Sequence, residues 1–127
     1  MGKERQRVGR QGEDEACLYL IKLGHTIVER NWRCGHLETD IISLIGNELH
    51  FVEVKSRTEP VAADPEVNVN RSKRRRIVSC ALAYLNSEKR AWLPEDLELC
   101  LDVITVVFRE NEDEIEYYPK AFIPIYD

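Results

Sequence analysis

The segment HLETDIISLIGNELHFVEVKSR, residues 36–57, decides the fold. Two runs rich in β-branched and aromatic residues, Leu37 to Ile45 and Glu48 to Ser56, flank Gly46-Asn47. A two-residue linker that starts with glycine, set between such runs, predicts a β-hairpin with a II′ turn. Ile45 then opposes Glu48, Ile42 opposes Phe51, Asp40 opposes Glu53 and Glu38 opposes Lys55. Directly opposed residues share one side of a sheet, with Cβ atoms about 5 Å apart. One face therefore carries Glu38, Asp40, Ile42 and Leu44 against Leu49, Phe51, Glu53 and Lys55. The other carries Leu37, Ile41, Ile45, Val52 and Val54, with Thr39 and His50 among them.

That pairing places two like charges, Asp40 and Glu53, across a hairpin, which destabilises a bare sheet. Two compensations are available: a raised pKa on one carboxyl, or a bound cation. Hard oxygen ligands at this spacing suit magnesium or manganese. A Glu-x-Lys pair on a strand is by itself an ordinary solvated pair of little energetic weight. Asp40 in register, with Ile42 and Phe51 on the same face, predicts a covered site instead.

Upstream, residues 7–23 predict a helix: Ala16, Leu20 and Leu23 recur at helical spacing, and Gly24 suits the C′ position. Glu13 shares a face with Ala16, Cys17 and Leu20, so it is an inward-facing acid and a candidate third carboxylate. Gly9 and Gly12 would allow close backbone approach along that surface. His25 to Trp32 predicts a strand. Downstream, residues 57–68 hold Pro60 and Pro65 and predict a loop. Val69 to Asn86 predicts a second helix, with Asn70 or Ser72 as N-cap and an apolar stripe of Ile77, Ala81, Tyr84 and Leu85. Leu99 to Phe108 predicts an interior strand. Ile115 to Ile123 predicts an edge strand, because Pro119 cannot donate to a ladder. Trp32, Trp92, Tyr117 and Tyr118 are expected in core or edge packing. The order α-β-β-β-α-β-β implies an α/β fold, a mixed sheet with helices packed on it, in a single domain over residues 1–127.

The whole chain, 127 residues with 43% apolar and 32% charged side chains, fits a globular protein. No run is long enough to span a membrane, and the charged N-terminus has no signal-peptide h-region, so a cytoplasmic location is expected. Cys17, Cys34, Cys80 and Cys100 form no CxxC pair, and His25, His36 and His50 add no close ligand pair. The cysteines are therefore expected as small apolar residues. The net charge of −5 hides an asymmetry. Residues 1–90 hold 16 Lys/Arg against 13 Asp/Glu (+3), and residues 91–127 hold 2 against 10 (−8). Positive charge on Arg71, Lys73, Arg74, Arg75 and Arg76 opposes the macrodipole of the second helix. A solvated face is one explanation; contact with phosphates, extended by Arg57, Arg5, Arg7 and Arg10, is the other.

GRQGEDEACLYLIKLGHTIVERNWR (residues 9–33) followed by residues 36–57 resembles the YraN family of small bacterial proteins. That family is in turn similar to PD-(D/E)xK nucleases, in particular archaeal Holliday-junction resolvases. The shared pieces are G-x-x-G-E at Gly9 to Glu13, E-x-D at Glu38 to Asp40 and F-V-E-V-K at Phe51 to Lys55. The resemblance implies a restriction-endonuclease-like αβββαβ core. It implies that Asp40 and Glu53 bind Mg2+ or Mn2+ with the Val54 carbonyl, that Glu13 is the extra helix-borne acid, and that Lys55 activates water and stabilises developing charge. The sequence departs from the family pattern at His36 to Thr39, where Gly-Glu-Ile-Asp is more usual, and near Asp102, which lacks an arginine neighbour.

Two functions are expected from these residues. One is a metal-dependent endonuclease acting on DNA, with branched (junction or flap) DNA as a candidate substrate, with Asp40, Glu53, Lys55 and Glu13 catalytic, and Arg57, Arg71, Lys73, Arg74, Arg75 and Arg76 on the nucleic acid. The alternative is a catalytically silent module that binds nucleic acid or protein and retains the nuclease core. A homodimer, matching a two-fold junction, is a further expectation.

Overall fold

The structure is a computed structural model and describes residues 2–59 and 71–121. Helix α1 (Gly2–Lys22) leads into strands β1 (Thr26–Cys34), β2 (Leu37–Ile45) and β3 (Glu48–Thr58). Helix α2 (Arg71–Leu85) and a short 3-10 turn (Glu88–Trp92) precede β4 (Glu98–Phe108) and β5 (Asp113–Tyr118). The five strands form one sheet in the order β1-β2-β3-β4-β5. All neighbours are antiparallel except β3 and β4, which run parallel. This is the mixed α/β arrangement expected from the sequence, and it is consistent with a restriction-endonuclease-like αβββαβ core.

One helix covers each face of the sheet. Ala16, Cys17 and Leu20 of α1 pack with Ile41, Val52, Ile104 and Val106. On the other face, Val78, Ala81 and Tyr84 of α2 pack with Ile42, Leu49, Phe51 and Leu101. Trp32 and Phe51 meet the Tyr84 ring edge-on, at centroid distances of 5.2 and 6.0 Å. Strand alternation with period two produces both cores from the same strands. The end of α1 is a Schellman cap: the His25 amide donates to the Leu20 carbonyl and Gly24 to Ile21, with Gly24 at φ 102°. Gly46 takes φ 58° at the first turn position, as a II′ hairpin requires.

Several expectations are corrected. Helix α1 begins at Gly2 rather than residue 7, and Leu23 lies past its end, exposed. Of the two glycines, only Gly12 meets β3; a Cβ there would stand 1.8 Å from Ser56 Oγ, whereas Gly9 has open space. Strand β3 continues through Thr58, into the expected loop. Ser72 lies inside α2, so it is not its N-cap, and Asn70 lies outside the described residues. Strand β5 is an edge strand as expected, but it ends at Tyr118; residues 122–127 are outside the described part. Trp92 is 85% exposed and packs in no core. Cys17, Cys80 and Cys100 are buried, while Cys34 is exposed.

Candidate functional site

The site forms where the hairpin opens. The β2–β3 ladder runs from Ile45↔Glu48 to Ile41↔Val52, and the pairing ends there, one residue short of Asp40. Beyond that point β2 stays with β1, through Thr39↔Trp32 and Glu38↔Arg33, and β3 stays with β4. Asp40 lies at the fork, and its Oδ2 accepts the Val54 amide at 2.8 Å. A side chain that caps the backbone of the next strand lies between the strands rather than on a face. The simple two-face alternation expected for Asp40 is thereby corrected.

The same irregularity runs into β1. Arg30 pairs with Asp14 of α1 at 2.8 Å, yet Trp32, two residues on, packs against Tyr84 of α2. Asn31 between them is left-handed, φ 52°, which reverses the alternation. Thr39, opposite Trp32, follows it to the α2 side and donates to Cys80 Sγ at 3.2 Å.

Glu38, Thr39, Asp40, Phe51, Glu53 and Lys73 line a small cavity of about 80 Å³ on the α2 side of the fork. Burial drives the Asp40 carboxyl up to about 7. The Val54 amide opposes that shift, and the charges of Glu13, Glu53 and Glu38 add to it. Glu53 Oε1 pairs with the Lys73 ammonium, while its Oε2 is buried without a hydrogen-bond partner. Glu13 approaches from the other helix. Its carboxyl is also raised, first by burial, and its Oε1 is likewise buried and unsatisfied. Glu13 lines a second, larger cavity of about 590 Å³ with Arg5, Gly9, Val54, Ser56 and Arg57. Thus Asp40 and Glu53 share one cavity, and Glu13 reaches Asp40 electrostatically from the opposite side of the sheet. Lys55 is half-buried on β3 beyond Glu53 and is not part of the small cavity's lining.

Of the basic run, Arg71, Arg75 and Arg76 are exposed, and Lys73 and Arg74 are half-buried. Lys73, one of the candidate nucleic-acid contacts, has its ammonium on Glu53, where the first turn of α2 overhangs the fork. Arg76 and Lys73 line a third hollow with His36 and Glu38, next to the small cavity.

A second polar cluster, missed in the sequence, lies at the turn end of the sheet on the α1 side. Asp102 is 1% exposed and takes hydrogen bonds from His50 Nδ1 (2.5 Å), Tyr117 OH (2.6 Å) and the Lys120 amide (2.8 Å). Glu48 Oε1 is 3.0 Å from His50 Nε2. Burial by itself would lower the His50 pKa, but Asp102 and Glu48 outweigh it and raise the value. His25 stacks edge-on against His50 at 4.8 Å and bonds Ser43 Oγ at 2.9 Å. The signal for this cluster was one acid, Asp102, inside the apolar run LCLDVITVV.

Taken together, the fold and the forked hairpin define an α/β protein with a half-buried, carboxylate-rich cleft between two strands and two helices. The chain belongs to the uncharacterised protein family UPF0102, the YraN family, whose model matches residues 12–106. The match includes Glu13, Asp40, Glu53 and Lys55 and stops short of β5. It is similar to UPF0102 proteins of Phocaeicola vulgatus (39% identical, 95% of this chain and 96% of the relative) and Parabacteroides distasonis (38%, 91% of each). A UPF0102 protein of Geobacter metallireducens is 35% identical over 96% of this chain and 97% of its own.

Proposed function

We propose that this protein is a metal-dependent phosphodiester hydrolase acting on DNA. The observation that carries the reading is the fork itself: Asp40 and Glu53 line one small cavity, and a buried oxygen of Glu53 has no hydrogen-bond partner. Unsatisfied buried carboxyl oxygens are costly, and a divalent cation is a partner that satisfies them. The donor set is hard oxygen, which fits Mg2+ or Mn2+. Asp40 and Glu53 would hold the ion, with Glu13 and the Val54 carbonyl as the further ligands that the family resemblance implies. When bound, the ion supplies a polarised phosphate and a water of lowered pKa.

The chain's own groups have distinct tasks in this reading. The Val54 amide fixes the orientation of Asp40. Lys73 holds Glu53 in the cleft and offsets its charge. Lys55 supplies positive charge where negative charge grows on the phosphate. Arg71, Arg75 and Arg76, exposed along α2, and Arg57, beside the Glu13 cavity, engage flanking phosphates.

The test is cleavage of linear, flapped and four-way DNA by the purified full chain with Mg2+ or Mn2+. Wild type is expected to cleave, while Glu53→Gln and Lys55→Ala lose at least 100-fold in rate, on the order of a lost catalytic group. Absence of cleavage by wild type, or equal cleavage by both variants, refutes it. One observation favours a binding module without turnover: the Lys73 ammonium already offsets the Glu53 charge through Oε1 and leaves only Oε2 for a metal. In that case DNA binding depends on Arg75 and Arg76 and is indifferent to Glu53→Gln.

A further inference from the structure

The parallel pairing of β3 with β4 sets His50 directly beside Cys100, although 50 residues separate them in the chain. Glu48, two residues before His50, lies on the same face of β3. One carboxyl oxygen of Glu48, one ring nitrogen of His50 and the Cys100 sulfur all lie within 4.8 Å of one another. We propose that Glu48, His50 and Cys100 form a zinc site, separate from the forked hairpin.

Three features support it. First, the donors are oxygen, nitrogen and sulfur, a mixed set that suits zinc and not magnesium. Second, the imidazole nitrogen that would ligate is already chosen. Asp102 accepts from Tyr117 and the Lys120 amide as well as from His50, so His50 Nδ1 is the donor in that contact and Nε2 is the atom turned toward Glu48. A carboxylate on the far nitrogen of a ligating histidine is the usual outer support of a zinc ligand. Third, the ligands stand on two adjacent, paired strands, which fixes their spacing before any ion arrives. His50 and Cys100 are buried and Glu48 is half-buried, so the site opens to solvent at Glu48.

Three protein ligands leave a fourth position for water. On binding, the proton of Cys100 Sγ and any proton on His50 Nε2 go to solvent, and the ion takes their places. Lys120, 3.6 Å from Glu48 and 3.4 Å from Glu98, can shift to Glu98 as the ion arrives. The site clamps the start of β4 to β3. Its ligand nearest the fork, His50, stands three residues before Glu53 on β3, about 10 Å at strand rise, so the two sites share no ligand.

Cobalt(II) titration of the full chain tests the proposal, since a thiolate ligand gives cobalt a charge-transfer band that oxygen ligands do not. One equivalent is expected to produce that band together with tetrahedral d–d bands. Zinc is expected to displace the cobalt. Cys34→Ser and Glu53→Gln keep the spectrum, Cys100→Ser loses the thiolate band, and Glu48→Gln weakens the affinity at least tenfold. Absence of a thiolate band in the wild type, or its persistence in Cys100→Ser, overturns the proposal. So does its loss in Cys34→Ser. If circular dichroism shows Cys100→Ser unfolded, the half-buried Glu48→Gln decides, and an unchanged affinity there is equally fatal.

Discussion

Asp40 shows how far a single position departs from its ordinary chemistry. Its carboxyl is pushed up to about 7 in the fold, from the ordinary 3.8 of an aspartate, chiefly because it is desolvated. As pH rises past 3.8, the unfolded chain releases this proton while the folded chain keeps it. Stability is therefore lost between 3.8 and about 7 and levels off above. Asn carries no such charge and can still accept the Val54 amide. In metal-free buffer, Asp40→Asn is thus expected to gain thermal stability relative to wild type across that window, with a constant difference beyond it. Thermal unfolding at a series of pH values checks this. A difference that does not change with pH would mean that Asp40 is not desolvated. Saturating Mn2+ is expected to restore the wild type at the upper end and to leave Asp40→Asn unmoved.

At the level of elements, the contact of α1 with β3 decides where Glu13 stands. Gly12 is buried, and a methyl group there would overlap Ser56 Oγ and come within 2.9 Å of Ser56 Cβ. The helix can seat only because position 12 has no side chain. Gly12→Ala is expected to cost on the order of 1–3 kcal/mol, the usual range for overpacking. Urea unfolding measures it. Ser56→Ala should relieve only part of the loss, because the Cβ clash remains, whereas Ser56→Gly should restore most of it. Gly9→Ala, with open space at its Cβ, is the control and should be neutral or slightly stabilising, as alanine is the better helix former. A Gly12→Ala protein as stable as wild type would mean that α1 sits farther from the sheet.

Over the whole molecule the charge is segregated. Helix α2 carries Arg71, Lys73, Arg74, Arg75 and Arg76 above the β2 side of the sheet, while Asp113, Glu114 and Glu116 lie on edge strand β5. No helix among the described residues is long and apolar enough to cross a membrane. A polyanion is attracted to one side and repelled from the other, whatever the net charge of −5 suggests. The proposed DNA binding is accordingly expected to weaken steeply with salt. Arg75→Ala/Arg76→Ala should flatten the log–log slope by about 1–2, roughly 0.9 per lost phosphate contact. Fluorescence anisotropy at several salt concentrations reads the slope. An unchanged slope would remove these arginines from the interface.

The elements were legible in the residues because their causes are local. Gly46 set the hairpin register, Gly24 the end of α1, and period-two alternation the two cores of β2 and β3. The candidate acids Asp40 and Glu53 followed from that register alone. What distant contacts decided could not be read there. The ladder stops at Ile41 because Asn31 reverses β1 and Asp40 takes the Val54 amide, so the acid lies between strands and not on a face. Lys73 reaches Glu53 only because α2 folds over the fork. His50 and Cys100 share no sequence spacing that signals a ligand pair; parallel pairing of β3 with β4 brings them together. Alternation and turn chemistry act over a few residues, whereas the placement of a charge depends on which strand and which helix arrive beside it.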